Sequence, residues 1–558
     1  MKKIGNIFRL GGLGICCALL SLASCSEWDD HYQNSLTSGN GSQNTWELLT
    51  ANPELSDFCE VLQNAKVFRQ HKTTSVSYAE LMQSGQSFTV LAPKNGTFNK
   101  DSLIALCATA KGDSVVEKKF IKNHISLTAV SNAAEVKEMR LANGKRIKIG
   151  ADKVGNVAIA EANIPTRNGV MHIMETAVPY TPNIFEALCD DPRFNVIGEQ
   201  LRKYNEDKFD EASSLSSGMV DGVKVYVDSV VYETNKLFDA IGVLNAEDST
   251  YYVTVPTEAG WIKIWNEAKD HFYYDPTVEK ADSMQHYWTL RGLLDDAIYS
   301  PSVETSPVDS LVNWKSYSRR YPGDGHVFYK PFSPTGIMGK GTKALECSNG
   351  TIYYSEDWTL SPEETYMRTL RAEGESFDAL QVGFNKTDIS VNKCMYNIRW
   401  ITADSISGNG YVDIIPQSVS APNWNFTLKI PNTIAGKTDI YAIVLPQSVY
   451  NPEKKGSGKS VKFKAYIDSF DKNGKAKPRF ECYDVIQGSN KYFVNDPEKV
   501  DTILLAKDFD LESCNYDLTN QKLQIRFESN VKTTADKRKY IGEMFLDCIL
   551  VRPSSNKE

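Results

Sequence analysis

Trp314, Tyr317, Arg320 and Tyr321 put three aromatic faces and a guanidinium within eight positions of one another. Side chains of these types can stack on sugar rings, hydrogen-bond to their hydroxyls, or anchor a partner protein. They lie in residues 300–340, a stretch rich in Pro, Gly, Ser and aromatics, and a packed loop covering a sheet would have the same composition. Trp400, Tyr411 and Trp424 form a second aromatic set in segments that alternate with period two. If exposed they would serve as sugar platforms; if not, they are core. The candidate ligand-binding residues are therefore Trp314, Tyr317, Arg320, Tyr321, Trp400 and Trp424, and the expected ligand is a glycan or a protein.

Other chemistry is poorly represented. There is no G-x-S-x-G elbow, no P-loop, no G-x-G-x-x-G after a strand and no H-E-x-x-H. The chain has 7 histidines, few general bases for its length. Carboxylates are plentiful, which leaves a glycosidase pair open, but no catalytic residue is assigned and the chain is not expected to be an enzyme. Apart from Cys16, Cys17 and Cys25, its cysteines (59, 107, 189, 347, 394, 482, 514 and 548) are widely scattered and form no C-x-x-C pair. No metal or cofactor is expected from them, and their apolar neighbours suit small core residues.

The first residues read as a leader. Lys2 and Lys3 precede an uncharged apolar run, Leu10–Leu22, too short to span a bilayer comfortably. It ends in Leu22-Ala23-Ser24-Cys25, which resembles the bacterial lipobox. That resemblance implies cleavage after residue 24 and a lipid anchor on Cys25, where two or more acyl chains hold a protein firmly to a membrane. Ser26-Glu27-Trp28-Asp29-Asp30 resembles the acidic signal with which some Gram-negative bacteria export lipoproteins to the cell surface. Residues 33–44, Gly/Ser-rich and polar, read as a flexible tether, so residues 25–43 are taken as lipidated cysteine plus tether. Losing residues 1–24 removes Lys2, Lys3 and Arg9 and no acid, taking the net charge from −8 to −11. An acidic chain gives no reason to expect nucleic-acid binding.

At 558 residues the chain is too long for one core. Residues 44–180 open with helical spacing (Trp46, Leu49, Leu55, Phe58, Leu62), with Ser56 and Asp57 available as caps. A strand follows at Phe88–Ala92, stopped by Pro93. Two short helices are expected over 102–124, then strands at Arg146–Ile149, Val157–Ala160 and Val170–Met174. Residues 181–360 repeat this order: Tyr251–Trp261 has the shape of residues 88–98, and Ser348–Tyr354 echoes 167–173, as in a duplicated domain. The copy carries an apparent hairpin, with strands expected at Val223–Val227 and Val230–Glu233. From 361 to 558 the period becomes two, as at Trp424, Phe426, Leu428 and Ile430, and Asn473-Gly474 marks a turn. The expected fold class is α+β: two mixed domains, then an antiparallel β-sandwich.

Phe88-Thr89-Val90-Leu91-Ala92-Pro93-Lys94-Asn95-Gly96-Thr97-Phe98 resembles the first conserved box of fasciclin domains, and Asn168-Gly169-Val170-Met171-His172-Ile173-Met174 resembles the second. Lys122-Asn123-His124-Ile125 lies where that family has its central Tyr-His pair, with Asn123 in the Tyr position. The closing Met544–Pro553 resembles the last strand of jelly-roll, galactose-binding-like modules. The fasciclin resemblance implies binding or adhesion, in the manner of surface lipoproteins that accompany outer-membrane nutrient uptake. The alternative it implies is a structural adhesion protein that contacts envelope or matrix proteins and takes no small ligand. His124 and His172 themselves, set among apolar neighbours, read as hydrogen-bonded core residues.

Overall fold

The computed structural model describes residues 41–554, apart from 70–71, 133, 221–222, 302–309, 314–326, 375–388, 402, 404, 419, 421, 485–489 and 519–521. Three units follow one another. The first opens with two short helices, Thr45–Ala51 and Ser56–Asn64, separated by the 3₁₀ turn Pro53–Leu55. Asn44 caps the first helix and Asn52 the 3₁₀ turn; the second helix has Leu55 at its N-cap and no side-chain cap, so neither Ser56 nor Asp57 serves as one. Asn44 and Glu47 make a reciprocal capping box, and the Asn52 side chain accepts from the Glu54 amide. The turn at Asn52-Pro53 breaks what the apolar spacing suggests is continuous, since proline cannot donate into the preceding turn.

The sheet of the first unit is centred on Phe88–Pro93, which runs parallel to Gly169–Met174 with Phe88 opposite Gly169. The second unit repeats that pairing: Tyr251–Pro256 runs parallel to Gly350–Ser355, with Tyr251 opposite Gly350. In each, a Gly at φ +146° follows an Asn that ties the sheet to the opening helix. Asn168 accepts from the Thr45 amide (2.9 Å) and donates to the Met82 and Ser84 carbonyls. Asn349 accepts from the Ile184 amide (2.9 Å) and donates to the Leu244 and Ala246 carbonyls. Even the capping box recurs, as Asn183 with Glu186. The two mixed units are thus copies of one topology.

The hairpin of the second unit is longer than its sequence suggests. Val223–Asn235 is one strand, not two, and its antiparallel partner is Asn205–Val220. No other described strand pairs with this ribbon.

The third unit is a sandwich of two six-stranded antiparallel sheets. In one, Asn425–Ile430, Leu523–Ser529 and Lys462–Asp468 lie side by side and alternate buried with half-buried positions. The other is built around Met544–Pro553. Gly436–Val444 pairs along one side of that strand; Gly410–Pro416 and then Leu370–Glu373 pair along the other. Apolar side chains from both sheets, among them Trp424, Phe426, Phe463, Phe527 and Leu546, fill the space between.

The second and third units share a core. Ile434, Cys514 and Tyr516 of the sandwich pack with Phe272, Trp288 and Tyr366. Across the seam the Cys514 amide donates to the Tyr273 carbonyl (2.6 Å), the Tyr274 hydroxyl donates to the Tyr516 carbonyl (3.0 Å), and Lys522 pairs with the buried Asp275 (3.2 Å).

Candidate functional site

The groups with the most obvious chemical potential are occupied with structure. His124 is fully buried; its Nδ1–H donates to the Phe120 carbonyl (2.7 Å) and Nε2 accepts from the Val178 amide (2.8 Å). Burial holds its pKa down, to about 4, so the ring is neutral. His172 donates to the Val130 carbonyl and accepts from the Asn163 amide. With both nitrogens engaged, neither ring has an atom left for a substrate. All eight described cysteines are free thiols, six of them buried. Burial raises the thiol pKa of Cys59, Cys189 and Cys482, the setting of an inert core thiol. Among the described residues no group of three or more His, Cys, Asp or Glu could hold a metal.

A cavity of about 500 Å³ opens at the seam between the second and third units, lined among others by His271, Glu363, Lys437 and Thr438. The His271 ring donates from Nδ1 to the Ala435 carbonyl (2.8 Å), which ties it to the seam itself.

The outer face of the sandwich, on the sheet built around Met544–Pro553, is different. Strand alternation sends Val412, Ile414, Met544 and Leu546 into the core, and so sends Tyr411, Asp413, Phe545 and Asp547 outward. Phe545 lies opposite Asp413 in the pairing. Arg399, on the neighbouring strand Cys394–Trp400, donates from Nε (3.1 Å) and Nη2 (3.0 Å) to Asp413 Oδ2. The short helix Gln447–Tyr450, just after Gly436–Val444, brings Tyr450 over Phe545 with ring centroids 6.0 Å apart and planes 25° from parallel. The Arg399 guanidinium is 5.2 Å from the same Tyr450 ring, which remains 52% exposed. Asp413 by contrast is 3% exposed, and its Oδ1 accepts no hydrogen bond among the described residues. Burial raises its carboxyl pKa against the pull of Arg399; that of Glu543, nearby, is raised by burial and then by Asp413.

The aromatic residues picked from sequence do not assemble here. Trp314, Tyr317, Arg320 and Tyr321, like Cys25, lie outside the described residues. Trp424 is 1% exposed; its indole N–H donates to the Gly542 carbonyl (2.6 Å) and its ring is core, so it offers no platform. Tyr411 is 1% exposed, buried on the outer side of its sheet in a small cluster with Ile406, Leu445 and Phe545, so it offers no platform either. Trp400 is 65% exposed. It shares the alternation of Tyr396 and Ile398, which pack against the core, but sits at the strand end beyond it. It therefore stands on the opposite side of its strand from Arg399. The residues that do assemble, Arg399, Asp413, Tyr450, Glu543 and Phe545, come from four separate segments with no common spacing. The one local signal is period two in Gly410–Pro416, which marks Asp413 as an outward carboxylate.

Residues 53–179 match the family model of the Fasciclin domain. Among curated proteins nothing matches the chain. Among solved structures, the FAS1 domain pair of the insect cell adhesion molecule Fasciclin I is 13% identical, covering 50% of this chain and 90% of that one at a TM-score of 0.18. The C-terminal family 22 carbohydrate-binding module of Clostridium thermocellum Xyn10B is 10% identical and covers 34% and 94%, with a TM-score of 0.20. A family 11 carbohydrate-binding module from Clostridium thermocellum, in complex with a β-1,3-1,4-mixed-linked tetrasaccharide, is 9% identical over 33% and 96%, at 0.19.

Proposed function

We propose that this chain is an exported surface lipoprotein, anchored through Cys25, that binds an extracellular glycan on the outer face of its C-terminal sandwich. The observation that carries this reading is the half-exposed Tyr450 ring beside Asp413, whose buried Oδ1 lacks a donor among the described residues. An aromatic face next to an unsatisfied acceptor suits a ligand with both apolar ring faces and hydroxyls. The two mixed units serve as a spacer between membrane and sandwich. In this reading the protein has no catalytic role and serves capture, as an accessory to nutrient uptake across the outer membrane.

A second reading, adhesion to an envelope or matrix protein, is favoured by the ribbon Asn205–Val220 with Val223–Asn235. It exposes Phe209 (43%) and Met219 (70%) and has open edges that a partner strand could pair.

The test has two arms. Labelled fatty acid should enter the full chain and not Cys25→Ala. Residues 26–558, which keep every described element, should be retarded in native gels holding the recognised polysaccharide. Retardation unchanged in Tyr450→Ala contradicts the outer-face reading; no retardation by any polysaccharide supports the adhesion reading.

A further inference from the structure

Asp413 and Glu373 repeat one arrangement on the two strands that flank the same side of Met544–Pro553. Asp413 lies opposite Phe545 and Glu373 opposite Cys548, both facing away from the core. Each has an arginine as counter-ion: Arg399 at 3.0 Å from Asp413 Oδ2, and Arg371 at 3.8 Å from Glu373 Oε1. Glu373 Oε1 also accepts from the Ser407 hydroxyl. In each carboxylate the other oxygen, Asp413 Oδ1 or Glu373 Oε2, is buried and accepts nothing among the described residues. A buried acceptor without a donor is costly. Because charge is already balanced locally, what these oxygens lack is an O–H or N–H donor rather than a cation. Glu543 beside Asp413 and Asp547 beside Ser407 add two more carboxylates, so the face leans negative, four carboxylates against two guanidiniums, and opposes an anionic ligand.

We propose that this face takes a neutral, hydroxyl-rich saccharide, whose hydroxyls donate to Asp413 Oδ1 and Glu373 Oε2 while one sugar ring lies on Tyr450, and that it rejects glycans carrying carboxylate or sulfate. This rests on the outer-face reading above and adds to it the charge class of the ligand. Arg399 is held on Asp413 through Nε and Nη2 and lies against Tyr450, so those donors are already committed within the face.

The experiment runs residues 26–558 through native gels holding, in turn, mixed-linked β-glucan, xylan, mannan, polygalacturonate and chondroitin sulfate, with oligolysine as a competitor. At least one neutral polysaccharide should retard the protein and neither acidic one should. Asp413→Leu and Tyr450→Ala should each weaken that retardation roughly tenfold or more. Tyr450 is half exposed, so its variant keeps the test valid if Asp413→Leu does not fold. Retardation by the acidic polysaccharides alone, lost in Tyr450→Ala, overturns the charge class and leaves the outer-face reading standing. Neutral retardation unchanged in both variants puts the ligand elsewhere and overturns both. Binding of oligolysine with no polysaccharide retarding the chain overturns the saccharide in favour of a basic protein partner.

Discussion

The ammonium of Lys145, on a turn of the first mixed unit, lies 2.8 Å from Glu247 Oε1 in the second. It also reaches Glu186 Oε2 (3.2 Å) and the Ser348 hydroxyl (2.9 Å), and is itself only 4% exposed. A buried cation shared by two carboxylates of the next unit fixes how the two copies meet. Removing one partner of such a pair leaves uncompensated charge in the interior. Lys145→Ala should therefore cost about 3 kcal/mol in chemical denaturation of the whole chain. A loss below about 1 kcal/mol would mean that the junction is more open to water than its burial indicates.

The same junction sets a pH dependence. Burial alone would raise the pKa of Glu186, but Lys118 and Lys145 hold it down, to about 2 from 4.5. Tyr180, Glu247 and Asp190 are the other titratable groups around it. A depressed folded pKa contributes stability that is full above 4.5 and is lost as pH falls toward 2. Asp413 and Glu373, raised by burial, have the opposite sign: the fold gains stability as they protonate. Total stability mixes the two, so the difference between native protein and Glu186→Gln is the useful quantity. That difference should be constant above about pH 5 and shrink below it. A difference that is flat with pH would contradict the assignment.

Gly169 and Gly350 make a matched pair of probes. A Cβ on either would lie 1.8 Å from a carbonyl oxygen, that of Phe88 or of Tyr251, and each has φ +146°. Gly96, at φ +72° with nothing within 4 Å, carries the backbone effect alone. Gly96→Ala should cost about 1–2 kcal/mol, while Gly169→Ala and Gly350→Ala should each cost well over that or prevent folding. Equal melting temperatures for all three would contradict the close parallel pairing of both sheets.

Sequence reading works best where one physical constraint dominates. The strands that fill the sandwich announce themselves because one face is buried: Phe426, Leu428 and Ile430 alternate with half-buried positions. The duplication is visible because Asn-Gly before a strand answers a steric demand that only glycine meets. Three features are not legible. Asn205–Val220 is polar and without alternation, so nothing in it signals a strand. Trp400 and Trp424 both sit in period-two segments, and what separates them is position: Trp424 continues a strand into the core, while Trp400 ends an edge strand beyond it. Residues 373, 399, 413, 450 and 543 become neighbours only through sheet order, which spacing along the chain does not encode.

The contrast between the two tryptophans can be measured. Trp424→Ala should cost about 3–5 kcal/mol, as for other large buried side chains. Trp400→Ala should change stability by no more than about 0.5 kcal/mol. Thermal melts of both variants check this, and a large loss for Trp400 would place it in a contact beyond the described residues.

Hydrogen exchange across the whole chain, with and without each polysaccharide, tests the central claim most directly because it needs no variant. The outer face of the sandwich is bordered by residues 405–409 and 446–452, and a ligand lying on Tyr450 beside Asp413 covers both. The account predicts that at least one neutral polysaccharide slows exchange in these two segments and leaves the first mixed unit unchanged. Slowing confined to the mixed units or to the 205–235 ribbon, or none with any polysaccharide, would contradict it.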